Sequence, residues 1–248
     1  MSNTPSITKC EVLLADLKRG RTKRLIDEVA VETSLAVYIN GRKYSVLSAS
    51  PTEIRELIMG YLMTEGLIRG INEVSKLEVS EGRVDVHLRR ARRSRGDPLN
   101  PQGDEASPVR FSSKAIVDII EDLNSLAEIH RRTGGVHAAA LADESGSIQA
   151  ISEDISRYSA VDKAVGKAAL SGLNMRRLLL ALTGRVSSGI AIKAASMCIP
   201  VIASMSAPTD LGVKVSSERG ITLIGFACRD RLNIYSHPER IIIEEYDG

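Results

Sequence analysis

Apolar and polar positions follow one rhythm in the first hundred residues of this chain and another after them. VAVETSLAVYINGRKYSVL places β-branched and aromatic runs on both sides of Asn40-Gly41. That dipeptide supplies positive φ at little cost, so the segment predicts a two-stranded hairpin. SPTEIRELIMGYLMTEGLI reads as a helix, with Ser50 as cap, Pro51 at the first position and Glu53 completing a capping box. Ile54, Leu57, Ile58, Tyr61 and Leu62 mark its apolar face, and Gly66 ends it. KLEVSEGRVDVHL alternates about Glu81-Gly82 and predicts a second hairpin.

RRARRSRGDPLNPQGDEASP, residues 89–108, has no apolar period and is rich in Arg, Pro and Gly, so it reads as an exposed linker. Its five leading arginines are either a solvated loop or a contact for anions or nucleic acid. Beyond it the period lengthens. SSKAIVDIIEDLNSLAEIH sets Ile116, Ile119, Ile120, Leu123 and Leu126 on one helical face. Two strands about DESG and a helix near AVDKAVGKAAL follow. Short apolar strands (RLLLAL, IPVIAS, ITLIGFA) then alternate with helices before a last strand, LNIYSH. Such alternation implies parallel pairing with both sheet faces covered. The expected fold is α/β: a smaller β-rich domain over 1–108 and a three-layer α/β/α domain over 109–248.

Size and composition narrow the function classes. At 248 residues with 43% hydrophobic and 26% charged residues, the chain suits a folded, water-exposed protein. Its formal charge of +2 argues neither for nor against a polyanionic partner. Aromatic residues are 3% with no Trp, which disfavours the base-stacking platforms of single-strand nucleic-acid binders. No run approaches the roughly 18 apolar residues of a membrane span, and MSNTPSITKCEV lacks an apolar signal core. Cys10, Cys198 and Cys228 lie far apart and form neither a disulfide framework nor a zinc ribbon. The expected setting is the reducing cytoplasm, with no metal site.

Candidate chemistry collects in the second half. Ligands of open α/β sheets gather beyond the carboxyl ends of strands, where helix N-termini expose N–H groups. TGRVSSG (183–189), SMSAPTD (204–210) and FACRDR (226–231) all occupy such corners. Gly184 permits close backbone approach, Ser187 and Ser206 offer hydroxyls, and Arg185, Arg229 and Arg231 offer forked bonds to phosphate. RRTGGVHAAALAD (131–143) adds His137. A zinc deaminase carries H-x-E at the start of a helix, with P-C-x-x-C further on. Here the glutamate position is Ala139, and no P-C-x-x-C follows. SEDISRYSAVDK (152–163) is either a helix start capped near Ser159 or Asp162, or a polar cluster facing the same cleft as His137. Cys198 reads as a small core residue, Cys10 as part of a mobile tail. Cys228, beside Arg229, is either inert or the chain's reactive thiol.

Taken in order, RRTGGVHAAAL, EDISRYSAVDKAVG, TGRVSSGIAIKAA, IPVIASMSAPTDLGV and GFACRDRLNIYSHPERI resemble the formate dehydrogenase accessory sulfurtransferase family, FdhD. The similarity runs over roughly residues 25–242 and includes INGRKYSVL, MGYLMTEGLI and the Glu32 region. The resemblance implies a cytidine-deaminase-like fold and a cytoplasmic homodimer. It also implies that sulfur passes from a cysteine desulfurase to the bis-molybdopterin guanine dinucleotide cofactor of formate dehydrogenase or a related molybdenum or tungsten enzyme. The family's cofactor-binding stretch matches Phe226, Ala227, Cys228, Arg229, Asp230 and Arg231, and Gly184, Arg185, Ser187, Ser206, His137 and Asp154 complete the candidate cofactor-binding set. Two motifs depart from the family. Its Cys-x-x-Cys loop has no counterpart, since residues 89–111 contain no cysteine. Its E-D-x-G-R-H-N reads Glu153-Asp154-Ile155-Ser156-Arg157-Tyr158-Ser159 here. Persulfide transfer needs a thiolate, which leaves Cys228 as the candidate carrier and a sulfur-free cofactor chaperone as the alternative. A hydrolase acting on nucleotides and a nucleic-acid-binding module rank below both.

Overall fold

A computed structural model describes residues 5–89 and 109–245. The chain opens with a ribbon of two long antiparallel strands, β1 (Ile7–Asp16) and β2 (Arg21–Ala30). The sequence pattern gives no sign of it, because both faces mix charged and apolar residues. Cys10, expected in a mobile tail, instead lies exposed within β1.

A four-stranded sheet follows, built from β3 (Thr33–Ile39), β4 (Arg42–Ala49), β5 (Val74–Ser80) and β6 (Arg83–Leu88) in the order β4-β3-β6-β5. Both expected hairpins form, with Asn40 at φ 48° and Gly41 at φ 78° in the first turn. Helix α1 (Ile54–Thr64) lies between β4 and β5 in sequence and buries Leu57, Ile58 and Leu62 completely. The expected capping box does not form. Glu53 is the N-cap at φ 55° and gives no side-chain cap. Both residues of the box are engaged elsewhere: Glu53 pairs with Lys167, and the Ser50 hydroxyl accepts from Ile155 N–H. Long-range polar contacts outcompete a local cap worth about 1 kcal/mol.

Residues 90–108, with the arginine run beyond Arg89 and the linker expected to end the first domain, lie outside the described residues. The chain re-enters at β7 (Phe111–Ser112), followed by α2 (Ser113–Leu126), α3 (Glu128–Thr133), β8 (His137–Ala142), β9 (Ile148–Asp154) and α4 (Arg157–Leu170). Then come β10 (Leu179–Leu182), α5 (Ser188–Ser196), β11 (Val201–Ser204), α6 (Asp210–Glu218), β12 (Thr222–Cys228), β13 (Arg231–Ser236) and β14 (Ile241–Ile242). The large sheet has the order β13-β12-β11-β10-β8-β9. Only β10, β11 and β12 pair in parallel; β8, β9 and β13 run antiparallel. The expectation of parallel pairing holds where helices cross over. It fails where short turns join β8 to β9 and β12 to β13, since a tight turn allows only antiparallel neighbours.

Strand alternation divides the core into two layers. Leu141, Leu180, Leu182 and Ile202 face α4 and α5, while Ala140, Leu179, Ala181 and Val201 face α2. Ile116, Ile119, Ile120 and Leu123 of α2 are buried as expected, but Leu126 is exposed because the helix ends there. The sheet is thus sandwiched between helical layers in a mixed α/β arrangement. Among the described residues no helix is long and apolar enough to cross a membrane.

The small sheet joins the large one through α1 and α4, whose backbones touch. A methyl group at Gly60 would stand 1.7 Å from the Asp162 carbonyl oxygen, and one at Gly166 would stand 1.9 Å from that of Glu56. Only glycine fits at either position. Two buried ion pairs brace this seam. Lys163 Nζ meets Asp154 at 2.7 Å with both side chains wholly buried, and it also donates to the Ser50 carbonyl. The Asp154 carboxylate in turn accepts Ser50 N–H at 3.0 Å. Lys193 Nζ meets Asp162 at 2.9 Å, with Thr64 donating its hydroxyl to the same carboxylate.

Candidate functional site

The three strand-end turns lie side by side at one rim of the large sheet. Val186 N–H donates to Ala207 O at 3.2 Å, Thr209 N–H to Val186 O at 2.9 Å, and Phe226 N–H to Ser206 O at 3.2 Å. The Ser204 hydroxyl donates to Gly184 O at 2.8 Å. Parallel strands β10, β11 and β12 end at a common edge, so their connections meet there. Glycine enables the close fit: a methyl group on Gly225 would stand 2.7 Å from Pro208 Cδ.

Because β8 runs antiparallel to β10, it begins at this same rim, and its first residue is His137. His137 thus starts a strand rather than the helix of the zinc-deaminase pattern, and Ala139 is wholly buried in the sheet. His137 Nδ1 lies 3.0 Å from where a Gly184 side chain would start, with Arg157 Cβ at 3.3 Å. Burial, followed by the charges of Arg157, His130 and Arg185, holds the His137 imidazole below its ordinary pKa.

Arg157 opens α4. Its guanidinium donates to the Tyr158 hydroxyl at 3.0 Å and sits 4.5 Å from that ring's centre. Its Nε is buried without a hydrogen-bond partner. The Tyr158 hydroxyl lies 2.8 Å from the Ser187 hydroxyl; that hydrogen bond, with the charge of Arg157 behind it, lowers the phenol's pKa. Among the described residues no carboxylate forms an ion pair with Arg157, Arg185 or Arg231. The rim is therefore a cationic surface with hydroxyls and backbone N–H groups, suited to an oxyanion.

The remaining candidates divide between rim and interior. Phe226 has φ 51° and carries Arg231 5.1 Å above its ring, and Cys228 and Asp230 are exposed at the β12–β13 turn. Arg229 turns to Glu121 of α2 at 3.1 Å, and Ala227 packs into the core beneath. Asp154, expected to face a ligand, is spent on Lys163, Ser50 and Ser156 inside the protein. Burial outweighs Lys163's charge and holds its carboxyl above the ordinary range.

The rest of the 152–163 cluster resolves in the same way. Glu153 accepts Ile129 and His130 N–H groups at the start of α3, and Asp162 is buried within α4. The cap of α4 is Ser156, not Ser159 or Asp162. Of that cluster Arg157 does lie beside His137, as the cleft-facing reading of 152–163 had it, and Tyr158, which was not among the candidates, reaches the rim with it. One signal was available for Arg157: a cation in the first turn opposes the helix dipole, so the position calls for another reason.

A cleft of about 700 Å³ adjoins the rim behind Tyr158, between the small sheet and α5. A shallower hollow of about 510 Å³ shares Ser48 and Ser156 with it and reaches Gly135. No sequence motif announced either, since their walls come from segments far apart in the chain.

A family model described as the FdhD/NarQ family matches residues 30–242. A sulfur carrier protein FdhD of Bacillus subtilis is 32% identical, with 90% of this chain and 94% of the relative covered. One from Thermoplasma acidophilum is 35% identical, with 87% of each covered. A crystal structure from Desulfotalea psychrophila, described as a formate dehydrogenase accessory protein, superposes with a TM-score of 0.82 at 26% identity. The match covers 96% of this chain and 100% of that one.

Proposed function

The chain belongs to the FdhD/NarQ family, and from that premise we propose that it serves formate dehydrogenase maturation by holding the bis-molybdopterin guanine dinucleotide cofactor at the cationic rim. The observation that carries this reading is the crowding of Arg157 and Arg185 about His137, with Arg231 over Phe226 at the neighbouring strand-end turn and no carboxylate in an ion pair with any of the three arginines among the described residues. A pyrophosphate supplies the missing charge, and the buried Nε of Arg157 gains an acceptor. The layered sheet is read as a cytidine-deaminase-like scaffold in which a strand-borne histidine binds rather than deaminates. The proposed assembly is a cytoplasmic homodimer. Apolar side chains exposed on the β1–β2 ribbon, Leu13, Leu14 and Ile26, support pairing with a second copy.

Sulfur carriage, named for the curated relatives, runs in this proposal through Cys228, the exposed thiol at the rim. Its thiolate attacks the outer sulfur of a cysteine desulfurase persulfide. A new S–S bond forms at Cys228 as the desulfurase cysteine leaves as a thiolate.

Calorimetry with GDP tests the cofactor site. Wild-type protein is expected to bind, and Arg157→Ala or Arg231→Ala to weaken binding on the order of tenfold. A wild-type protein that ignores GDP refutes the reading. Mass spectrometry after incubation with desulfurase and cysteine tests the carrier. One added sulfur is expected on wild type and none on Cys228→Ser; no adduct on wild type leaves a cofactor chaperone without sulfur transfer.

A further inference from the structure

We propose that the cleft between the small sheet and α5 is a second ligand site, separate from the rim, for a singly phosphorylated aromatic heterocycle of nucleoside-monophosphate size. Its volume of about 700 Å³ falls within the range of small-molecule sites. Its opposing walls are apolar: Tyr61 and Met63 on the α1 side, Ile192 and Met197 on the α5 side. A slot walled by an aromatic ring and thioethers suits a flat ring system.

Ser48, Ser156 and Ser196 also line the slot. Ser48 already donates to Glu32 and Ser156 caps α4, which leaves the Ser196 hydroxyl; a hydrocarbon chain would cover it without pairing it, whereas a ring nitrogen or oxygen of a heterocycle pairs with it. The floor offers no site for an anion. Lys193 spends its three donors on Thr64, Glu65 and Asp162. The phosphate is assigned to the mouth, where Arg69 and Arg219 are exposed and have no carboxylate partner among the described residues. With Arg69 and Arg219 exposed and Lys193 committed within, the proposed ligand lies ring inward, phosphate outward.

The cleft is physically distinct from the rim. Tyr158 forms the wall between them, and its hydroxyl is held from the rim side by Ser187. The inference is therefore independent of the cofactor reading, and the two can fail separately.

Flavin mononucleotide, whose fluorescence falls when its ring stacks, is the probe. Titration with wild-type protein is expected to give saturable quenching that GMP reverses and that riboflavin and inorganic phosphate do not. Arg69→Ala and Arg219→Ala should each weaken binding on the order of tenfold. Ser196→Trp, which fills the slot from a partly exposed position on α5, should abolish binding while leaving the melting temperature unchanged. Arg231→Ala should have no effect. Absence of quenching overturns the inference. So does loss of binding in Arg231→Ala, which moves the ligand to the rim. Phosphate competing as well as GMP, with Ser196→Trp harmless, reduces the mouth to a bare anion patch and also overturns it.

Discussion

The α1–α4 seam and the sheet rim are both rich in charge, and they use it in opposite ways. At the seam three lysines each have an acid: Lys163 with Asp154, Lys193 with Asp162 and Glu65, Lys167 with Glu53. At the rim Arg157 and Arg185 crowd His137, and among the described residues neither forms an ion pair with a carboxylate. Removing ions from water costs several kcal/mol each, so a buried charge survives only beside its complement. An exposed cluster of one sign is kept apart from acids only at a cost in self-repulsion. That cost is offset when an anion arrives. Pairing thus separates charges that hold the fold from charges that await a ligand.

Glycine gives the sharpest test of this contrast. Gly166→Val at the seam is expected to abolish the cooperative unfolding transition followed by circular dichroism, because its side chain meets backbone at 1.9 Å. Gly184→Ala at the rim meets the His137 ring at 3.0 Å, which a small ring rotation relieves, so it should fold. Equal damage at both positions would break the distinction.

Removing one partner of a buried pair comes next in size. Lys163→Met leaves the Asp154 carboxylate buried beside its two N–H donors, and a loss of about 3–5 kcal/mol is expected in urea unfolding. The sign of the pH dependence follows from burial, which raises Asp154's folded pKa above its unfolded value. Its titration then favours folding below about pH 4 and loses that contribution as pH rises through the folded pKa. The deficit of Lys163→Met should accordingly be smallest in acid and grow toward neutrality. A deficit independent of pH would assign the loss to packing alone.

The smallest effect lies at His137. Burial and cationic neighbours lower its pKa, so neutral His137 contributes stability that is complete above about pH 6.5 and falls away as pH drops. A bound pyrophosphate favours the imidazolium instead. GDP affinity should therefore strengthen a few-fold as pH falls below about 6.5, and the slope should vanish in His137→Asn. A wild-type affinity that is flat with pH would remove His137 from the site.

Much of the fold was legible because its signals are local. Asn40-Gly41 marks its hairpin through backbone sterics, and the strand–helix alternation after residue 170 marks a layered sheet through periodicity. The ribbon was not, since a strand pair with two exposed faces carries no single apolar stripe. At the site, TGRVSSG, SMSAPTD and FACRDR were readable as strand-end turns. Asp154 misled, because a carboxylate looks the same in sequence whether it meets a ligand or a buried lysine.

The sequence alone determined most element types beyond the ribbon, the three phosphate-suited turns and the family, because turn chemistry, hydrophobic period and motif order reside in neighbouring residues. Tertiary structure decided which charges are spent and which are open, where His137 points its strand, and that a cleft exists behind Tyr158. Those outcomes depend on distances between residues a hundred positions apart. Such distances are set by packing: two glycines let two helices touch, and the neighbouring charges pair where that contact brings them together.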